Sequence, residues 1–377
     1  MKFSAERLEK QNGDILFFGI LILLIGFGLA VMFSASHYYG TKKFEDPYYF
    51  LKRQVILVVL GAAISFLVTR LPLSAVRKGI PVLLVFSLIL TVLTFVPGVG
   101  RTTLGAKRWI YVFGYSFQPS ELVKLTVILY LAHIFSKKEE RMDEFLRSIL
   151  PPLLVCSIFV LLVYLQNDFS TAFFIFFLIL VMFFIARVRL IYFISIATIG
   201  LPLAAILLFT KEHRVQRIIA FLNPQQDPDA SYQVNAARSA LLNGGLWGKG
   251  LGEGSKKLGG LPEAHSDFVF AVLGEEMGFL GVIFVLSVFA AFAFRGYAIA
   301  LKSSDRFGYY LAFGCTTSIF YQALANIGVV SGLMPATGIP LPFFSSGGSS
   351  IVVTLIMCGL VINVARNRGD AKGDINE

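Results

Sequence analysis

Charge is scarce in this chain of 377 residues. Asp, Glu, Lys and Arg together make up 15% of it, against 56% hydrophobic residues. That balance excludes an ordinary soluble enzyme and fits a polytopic membrane protein. Cysteine is nearly absent: Cys156, Cys315 and Cys358 lie far apart, each inside an apolar run, with no metal-ligand spacing. The four histidines are equally scattered, which argues against a zinc site. Heptads, low-complexity tracts and internal repeats are missing. The missing repeat weighs against a secondary transporter, since many of those are built from repeated halves. Nor does a soluble domain of ordinary size remain, because the longest polar interval is about 211–266.

What is present is one apolar run after another, at the spacing a bilayer sets. Ten can be counted, at about 14–35, 54–70, 79–97, 119–136, 149–165, 169–186, 190–210, 267–294, 308–331 and 349–365. The expectation is an all-α polytopic membrane protein of about ten transmembrane helices. It would form a single integral membrane domain over 1–377, with a large extracytoplasmic loop at about 211–266. The first run is too long for the h-region of a signal peptide, and other spans follow at once.

The net charge of +10 invites a nucleic-acid partner, but its distribution argues against one. Basic residues gather at the N-terminus (Lys2, Arg7, Lys10), in the alternate links 70–78, 137–147, 187–189 and 295–306, and at the end (Arg366, Arg368, Lys372). The links 166–168 and 332–348 have none. This is the positive-inside pattern, with both termini cytoplasmic and 211–266 outside. That outer loop holds seven basic residues against five acidic ones, a surplus that suits either an anionic ligand or plain solvation.

Several short stretches carry chemistry. Asp267 opens an apolar run that continues to Phe294, with Glu275 and Glu276 inside it. A carboxylate at membrane depth is costly, so its default reading is functional. Lys107 and Arg108 stand beside Trp109, a residue type that anchors at the headgroup level. Pro119 suits the first turn of a helix. Glu121 and Lys124 then fall on one helical face, where pairing with each other and contact with a substrate are compatible roles. Asp168, in the three-residue link 166–168, reads as a helix N-cap or as the partner of a loop Arg or Lys. The stretch N-G-G-L-W-G-K-G-L-G-E-G at 243–254 includes Lys249. Its glycines allow close backbone approach and its N–H groups could cradle phosphate, with flexible turns as the plain alternative. It is not a P-loop, because no Ser or Thr follows Lys249. At 334–350, three prolines and three glycines forbid a regular helix, yet Ile339, Leu341, Phe343 and Phe344 are apolar. A re-entrant segment walling an outward-facing cleft fits this, since irregular backbone at membrane depth must be buried in protein or line a wet cavity. An interfacial loop is the alternative.

In order along the chain stand G-A-K-R-W-I (105–110), Q-P-S-E-L-V-K-L (118–125), the Asp168 turn, N-G-G-L-W-G-K-G-L-G (243–252), L-P-E-A-H-S-D-F-V-F-A-V-L-G-E-E-M-G (261–278) and the 334–350 segment. Together they resemble the SEDS family (shape, elongation, division and sporulation), whose members are FtsW/RodA-like. The resemblance spans almost the whole chain. Residues 47–54, 214–218 and 263–268 look more like the division branch and 326–335 like the elongation branch, with the division branch favoured. Two departures stand out: N-D-F-S-T at 167–171 replaces Pro-Asp-Leu-Gly-Thr, and Ser346 replaces a Tyr.

The resemblance implies a ten-helix fold in the bacterial inner membrane. It also implies a peptidoglycan glycosyltransferase that polymerises lipid II for septal or lateral wall synthesis. Its implied partners are a class B penicillin-binding protein and other division or elongation proteins. Asp267 would be the catalytic aspartate. It would take the proton from the 4-hydroxyl of the acceptor sugar, whose oxygen attacks the anomeric carbon of the polyprenyl-pyrophosphate-linked glycan with inversion. Desolvation beside Phe268 and Phe270 would raise the pKa of Asp267 toward a useful range. Lys107, Arg108, Lys124, Arg217 and Lys249 would stabilise the leaving pyrophosphate. Glu121, Asp168, Ser345 and Ser346 complete the expected substrate-binding set. A divalent cation, Mg2+ or Mn2+, suits carboxylates and pyrophosphate oxygens, although no metal site is evident in the sequence. From the residues alone, two other readings stay open: a lipid II flippase or transporter whose path is lined by Asp267, Glu275 and Glu276, and a non-catalytic division scaffold.

Overall fold

Each of the ten apolar runs is a helix in the computed structural model, which describes residues 14–103, 106–112, 114–138, 144–223, 228–255, 257 and 261–367. In chain order the helices are α1 (Ile15–Phe44), α2 (Tyr49–Arg70), α3 (Leu73–Leu93), α4 (Pro119–Lys138), α5 (Leu150–Leu165), α6 (Phe169–Ile185) and α7 (Leu190–Phe209). They continue as α8 (Glu212–Leu222), α9 (Pro228–Asn243), α10 (Val269–Leu301), α11 (Arg306–Val330) and α12 (Gly348–Arg366). Eight of these are long and apolar enough to cross a membrane, one of them with a π-helical turn at Phe145–Ile149 leading into α5. The other two apolar runs form α6, apolar over 17 residues, and α4, with 13 of its 20 residues buried. Of the basic residues that set the expected topology, Lys2, Arg7, Lys10, Arg141, Arg368 and Lys372 lie outside the described residues.

Carboxylates start three of the helices. Asp14 accepts from the Phe17 N–H at 3.0 Å, Asp168 from Thr171 at 3.3 Å and Asp305 from Phe307 at 3.2 Å. Each satisfies a donor that the first helical turn leaves unpaired. Helices α4, α11 and α12 are largely buried, whereas α2, α3 and α7 turn apolar side chains such as Phe66, Val82 and Ile199 outward. So much outward apolar surface is what a bilayer accepts and water does not.

Three features differ from, or add to, the sequence reading. The segment after α3, read as a loop, holds a small antiparallel sheet of β1 (Gly100–Thr103), β2 (Ala106–Val112) and β3 (Tyr115–Phe117), in that order. Ile110 of β2 pairs with Gly100 on one side and Phe117 on the other. Its alternation is too short to stand out, with Ala106 and Ile110 buried while Lys107 and Tyr111 are exposed. The interval 211–266, expected as an outer loop, is partly helical through α8 and α9. And α10 is not continuous: Gly278, at φ 65° and ψ −165°, breaks it after Met277.

Residues 334–347 are irregular, and most of 339–345 is buried, as expected for chain that enters a membrane protein without forming a helix. Side chains of neighbouring helices meet its carbonyls. Gln322 donates to Pro340 O at 3.0 Å, Asn326 to Ile339 O at 2.8 Å and Gln54 to Ser345 O at 3.1 Å. It lies so close to α1 that a Cβ on Gly28 would sit 2.4 Å from the Phe343 carbonyl oxygen.

Candidate functional site

The first turns of α2 and α4, the sheet, the turn before α10 and the 338–350 segment converge on one cavity of about 440 Å³. Asp267 stands on its wall, in the turn just before α10. Its backbone carbonyl accepts from the Asn326 amide at 2.8 Å, and the same amide nitrogen holds Ile339 O. Asn326 thus ties the aspartate's turn to the irregular segment. Gly338, at φ +71°, packs against the carboxylate, where an added Cβ would lie 3.4 Å from Asp267 Oδ2. Ser266 donates to Asp267 Oδ1 at 3.1 Å. Burial pushes the Asp267 carboxyl above the usual carboxylate range. The charge of Glu263 adds to this, and the Ser266 hydroxyl, Arg108 and Arg217 pull the other way.

Cations share the cavity with this acid. Arg108 lines the cavity and places Nη1 3.2 Å from Asp168 Oδ1. Asp168 is buried and also accepts from Gln118 Nε2 at 2.8 Å. It therefore serves both as a helix cap and as an ion-pair partner, joining the sheet to α6. Lys124 lines the same cavity beside Glu121. Arg53 also lines it and was not among the expected site residues. It donates to Tyr49 Oη at 2.6 Å and to Gly114 O at 2.5 Å, and lies over the Tyr115 ring at 4.7 Å. Lys43 and a buried His265 complete the rim, with His265 stacked on Tyr39 at a centroid distance of 4.9 Å.

Of the expected substrate-binding residues, the cavity wall thus includes Arg108, Glu121, Lys124 and Ser346. Asp168 stands just behind, on Arg108. The Ser346 N–H donates to His265 O at 2.9 Å. Ser345 instead accepts from the Leu341 N–H at 2.8 Å and braces the irregular segment. Lys107 is exposed on β2 and outside the cavity lining. Arg217, on α8, donates to Ala336 O at 3.4 Å and borders a small neighbouring pocket. Lys249 reaches Glu275 Oε1 at 3.0 Å rather than the cavity. The turn around Lys249 uses its glycines for packing: Cβ atoms on Gly244 and Gly248 would fall 2.0 Å from Gly274 O and 2.1 Å from Glu276 O.

Sequence reasoning passed over Arg53, Gln54, Gln118, His265, Gln322 and Asn326. Two signals were there to find. Gln322 and Asn326 repeat at i, i+4 in an otherwise apolar helix, and Arg53 and Gln54 close the 47–54 stretch that supports the family resemblance. As for Mg2+ or Mn2+, no three His, Cys, Asp or Glu side chains come together among the described residues in a way that could hold a metal ion. The acids on the cavity wall are Glu121, tied to Lys124, Glu263, 4.0 Å from His265 Nε2, and Asp267. These donors are too few for a protein-built cage.

A bundle of apolar helices with a polar, cation-rich cavity at one end defines an integral membrane protein with its site at the helix ends. The FtsW/RodA/SpoVE profile, described as "Cell cycle protein", matches residues 14–370, and the chain belongs to this family. A probable peptidoglycan glycosyltransferase FtsW from a Geobacter species is 39% identical over 96% of this chain and 99% of its own length. That of Borreliella burgdorferi is 41% identical over 92% and 95%. The stage V sporulation protein E of Bacillus subtilis is 37% identical over 95% and 98%. Among solved structures, one described as showing structural coordination of polymerization and crosslinking by a peptidoglycan synthase complex aligns with a TM-score of 0.79. It is 28% identical and covers 95% of this chain and 99% of the other. Thermus thermophilus RodA aligns with a TM-score of 0.71, at 27% identity over 95% and 98%.

Proposed function

We propose that this protein is a peptidoglycan glycosyltransferase that polymerises lipid II, with Asp267 as the general base. One observation carries the reading: Asp267, held above the ordinary carboxylate range by burial, shares a single cavity with Arg108, Arg53 and Lys124. The names of its relatives and the synthase complex it resembles point the same way.

In this reading the Asp267 carboxylate takes the proton of the acceptor sugar's 4-hydroxyl. The freed oxygen attacks the anomeric carbon of the growing strand from the face opposite the leaving group, so the configuration inverts. The bond from that carbon to the pyrophosphate oxygen breaks, and the polyprenyl pyrophosphate departs with the electron pair. Fixed cations lower the barrier because the leaving charge develops in a partly desolvated pocket, where such contacts count for more than in water. Arg108 and Arg53 are the groups placed for this. Tethered by Asn326, Asp267 needs little reorganisation to meet its proton.

The transport alternative called for Glu275 and Glu276 to line a path with Asp267. Each of the two glutamates is instead paired with a lysine, at 3.0 and 2.6 Å, and neither lines the cavity of Asp267. The same proposal takes the chain as one domain in the bacterial inner membrane, both termini cytoplasmic. It works with a class B penicillin-binding protein that crosslinks the new strands and with other division or elongation proteins. The test is polymerisation of lipid II by purified protein in detergent, with and without that partner. Glycan ladders on a gel support the reading, and intact lipid II in both arms rejects it.

A further inference from the structure

Glu275 and Glu276 are adjacent, both buried, and about two turns into a helix that breaks just beyond them, after Met277. Two neighbouring buried carboxylates repel each other and forfeit hydration, so something must neutralise them. Both neutralising lysines come from one stretch of the outer loop. Lys249 Nζ lies 3.0 Å from Glu275 Oε1, which also accepts from Ser255 Oγ at 2.9 Å. Lys257 Nζ lies 2.6 Å from Glu276 Oε1, and the Ser34 hydroxyl of α1 joins the same carboxylate at 2.7 Å.

The backbone of this loop also grips the break. The N–H groups of Lys249 and Gly250 donate to the carbonyls of Glu275 and Glu276, both at 3.0 Å. Past the break, the N–H groups of Phe279 and Leu280 donate to Gly245 and Leu246 O at 2.9 and 3.3 Å. The turn therefore fills hydrogen bonds that Gly278 takes out of the helix, on both sides of it. The approach is so close that a Cβ on Gly278 would sit 2.3 Å from the Gly248 nitrogen.

The helical segment 269–277 is thus cut off from the rest of α10, and helix continuity does not aim it. It is about 13 Å long at 1.5 Å per residue. Asp267 stands at one end, where Asn326 holds its carbonyl, and the loop grips the other end. We propose that Lys249 and Lys257 are positioning residues: with the glycine turn they form a clasp on the broken helix that sets where the Asp267 carboxylate points. They act through Glu275 and Glu276 and do not touch the substrate. The proposal rests on the glycosyltransferase reading for its kinetic consequence, but its geometric consequence stands apart from that reading.

The test combines Lys257→Met with Glu276→Gln, so that no charge is left buried alone. A Ser266→Cys reporter beside the base reads the geometry without any turnover, and the native Cys156, Cys315 and Cys358 are buried and silent. In full-length protein, the labelling rate of Cys at 266 is expected to shift at least threefold between the parent and the clasp variant. In protein without the reporter, kcat for lipid II polymerisation is expected to fall about tenfold, with KM and lipid II binding unchanged and the melting temperature close to wild type. An unchanged labelling rate overturns the clasp, as does a wild-type kcat at restored stability, which would mean the lysine only neutralises charge. Weaker lipid II binding with unchanged kcat also overturns it, in favour of direct contact. Wild-type protein that forms no polymer refutes the glycosyltransferase reading while the labelling comparison still decides the clasp. If the double variant does not accumulate, Ser34→Ala loosens the same pair with both charges in place, and an unchanged labelling rate there counts equally against the proposal.

Discussion

Lys124 and Glu121 form a closed ion pair inside the protein. Nζ lies 2.8 Å from Oε2, and the two side chains are only 4% and 6% exposed. Lys124 also donates to Gln322 Oε1 at 2.7 Å and sits over the Phe174 ring at 5.1 Å. The pair neutralises itself one turn into a buried helix and still faces the cavity. Removing either partner strands the other charge. Lys124→Met or Glu121→Gln alone is therefore expected to cost roughly 3–5 kcal/mol. The double variant should cost clearly less, which thermal unfolding in detergent will show.

Asp168 has three obligations at once, to Arg108, Gln118 and the Thr171 N–H. Asp168→Ala removes a cap worth about 1 kcal/mol and leaves a guanidinium unanchored at the cavity wall. The expected result is a modest loss of stability and a larger loss of polymerisation, because Arg108 loses its aim. Arg108→Lys should keep the charge and still lose activity, since an ammonium cannot reproduce the planar fork. Equal activity in wild type and Arg108→Lys would mean that charge alone matters there.

Which parts of this were legible in the sequence follows from how local the causes are. Apolar runs and capping aspartates are local, and each of the ten runs falls largely within one of the helices. Asp267, Arg108, Glu121, Lys124 and Ser346, each picked out by a local motif, line one cavity. The rest depends on long-range contacts. Nothing near Lys249 in the chain says that its partner is Glu275, and Ser34 meets Glu276 across 242 positions. The break at Gly278 is hidden inside an uninterrupted apolar run, because its cause is the Gly248 turn packed against it.

His265 gives a pH-dependent stability. Burial, with help from the Lys43 charge, brings its imidazole down from 6.5 to about 4. The folded protein thus binds this proton less readily than the unfolded chain. Stability is fully present above about pH 6.5 and is lost as pH falls toward 4, by up to about 3 kcal/mol. Thermal unfolding between pH 7 and pH 4.5 should show a downward slope with acid that His265→Phe flattens. Parallel slopes in both proteins would exclude this histidine as the cause.

The proposed sidedness rests on the distribution of Lys and Arg. Single cysteines at Asn243 and at Asn367 should react with an impermeant thiol reagent from opposite faces of the membrane, the first from outside. Labelling of both from the same face would contradict the proposed topology.

If Asp267 is the base, activity should fall with acid through a pKa above the ordinary carboxylate range, because burial favours its protonated form. The most direct test is the rate of lipid II polymerisation by Asp267→Asn, an almost isosteric change that leaves the Asn326 tether to the backbone in place. The expected result is a folded, membrane-inserted protein that binds lipid II with its rate reduced about 10²–10⁴-fold. Polymerisation by Asp267→Asn at close to the wild-type rate would contradict the assignment.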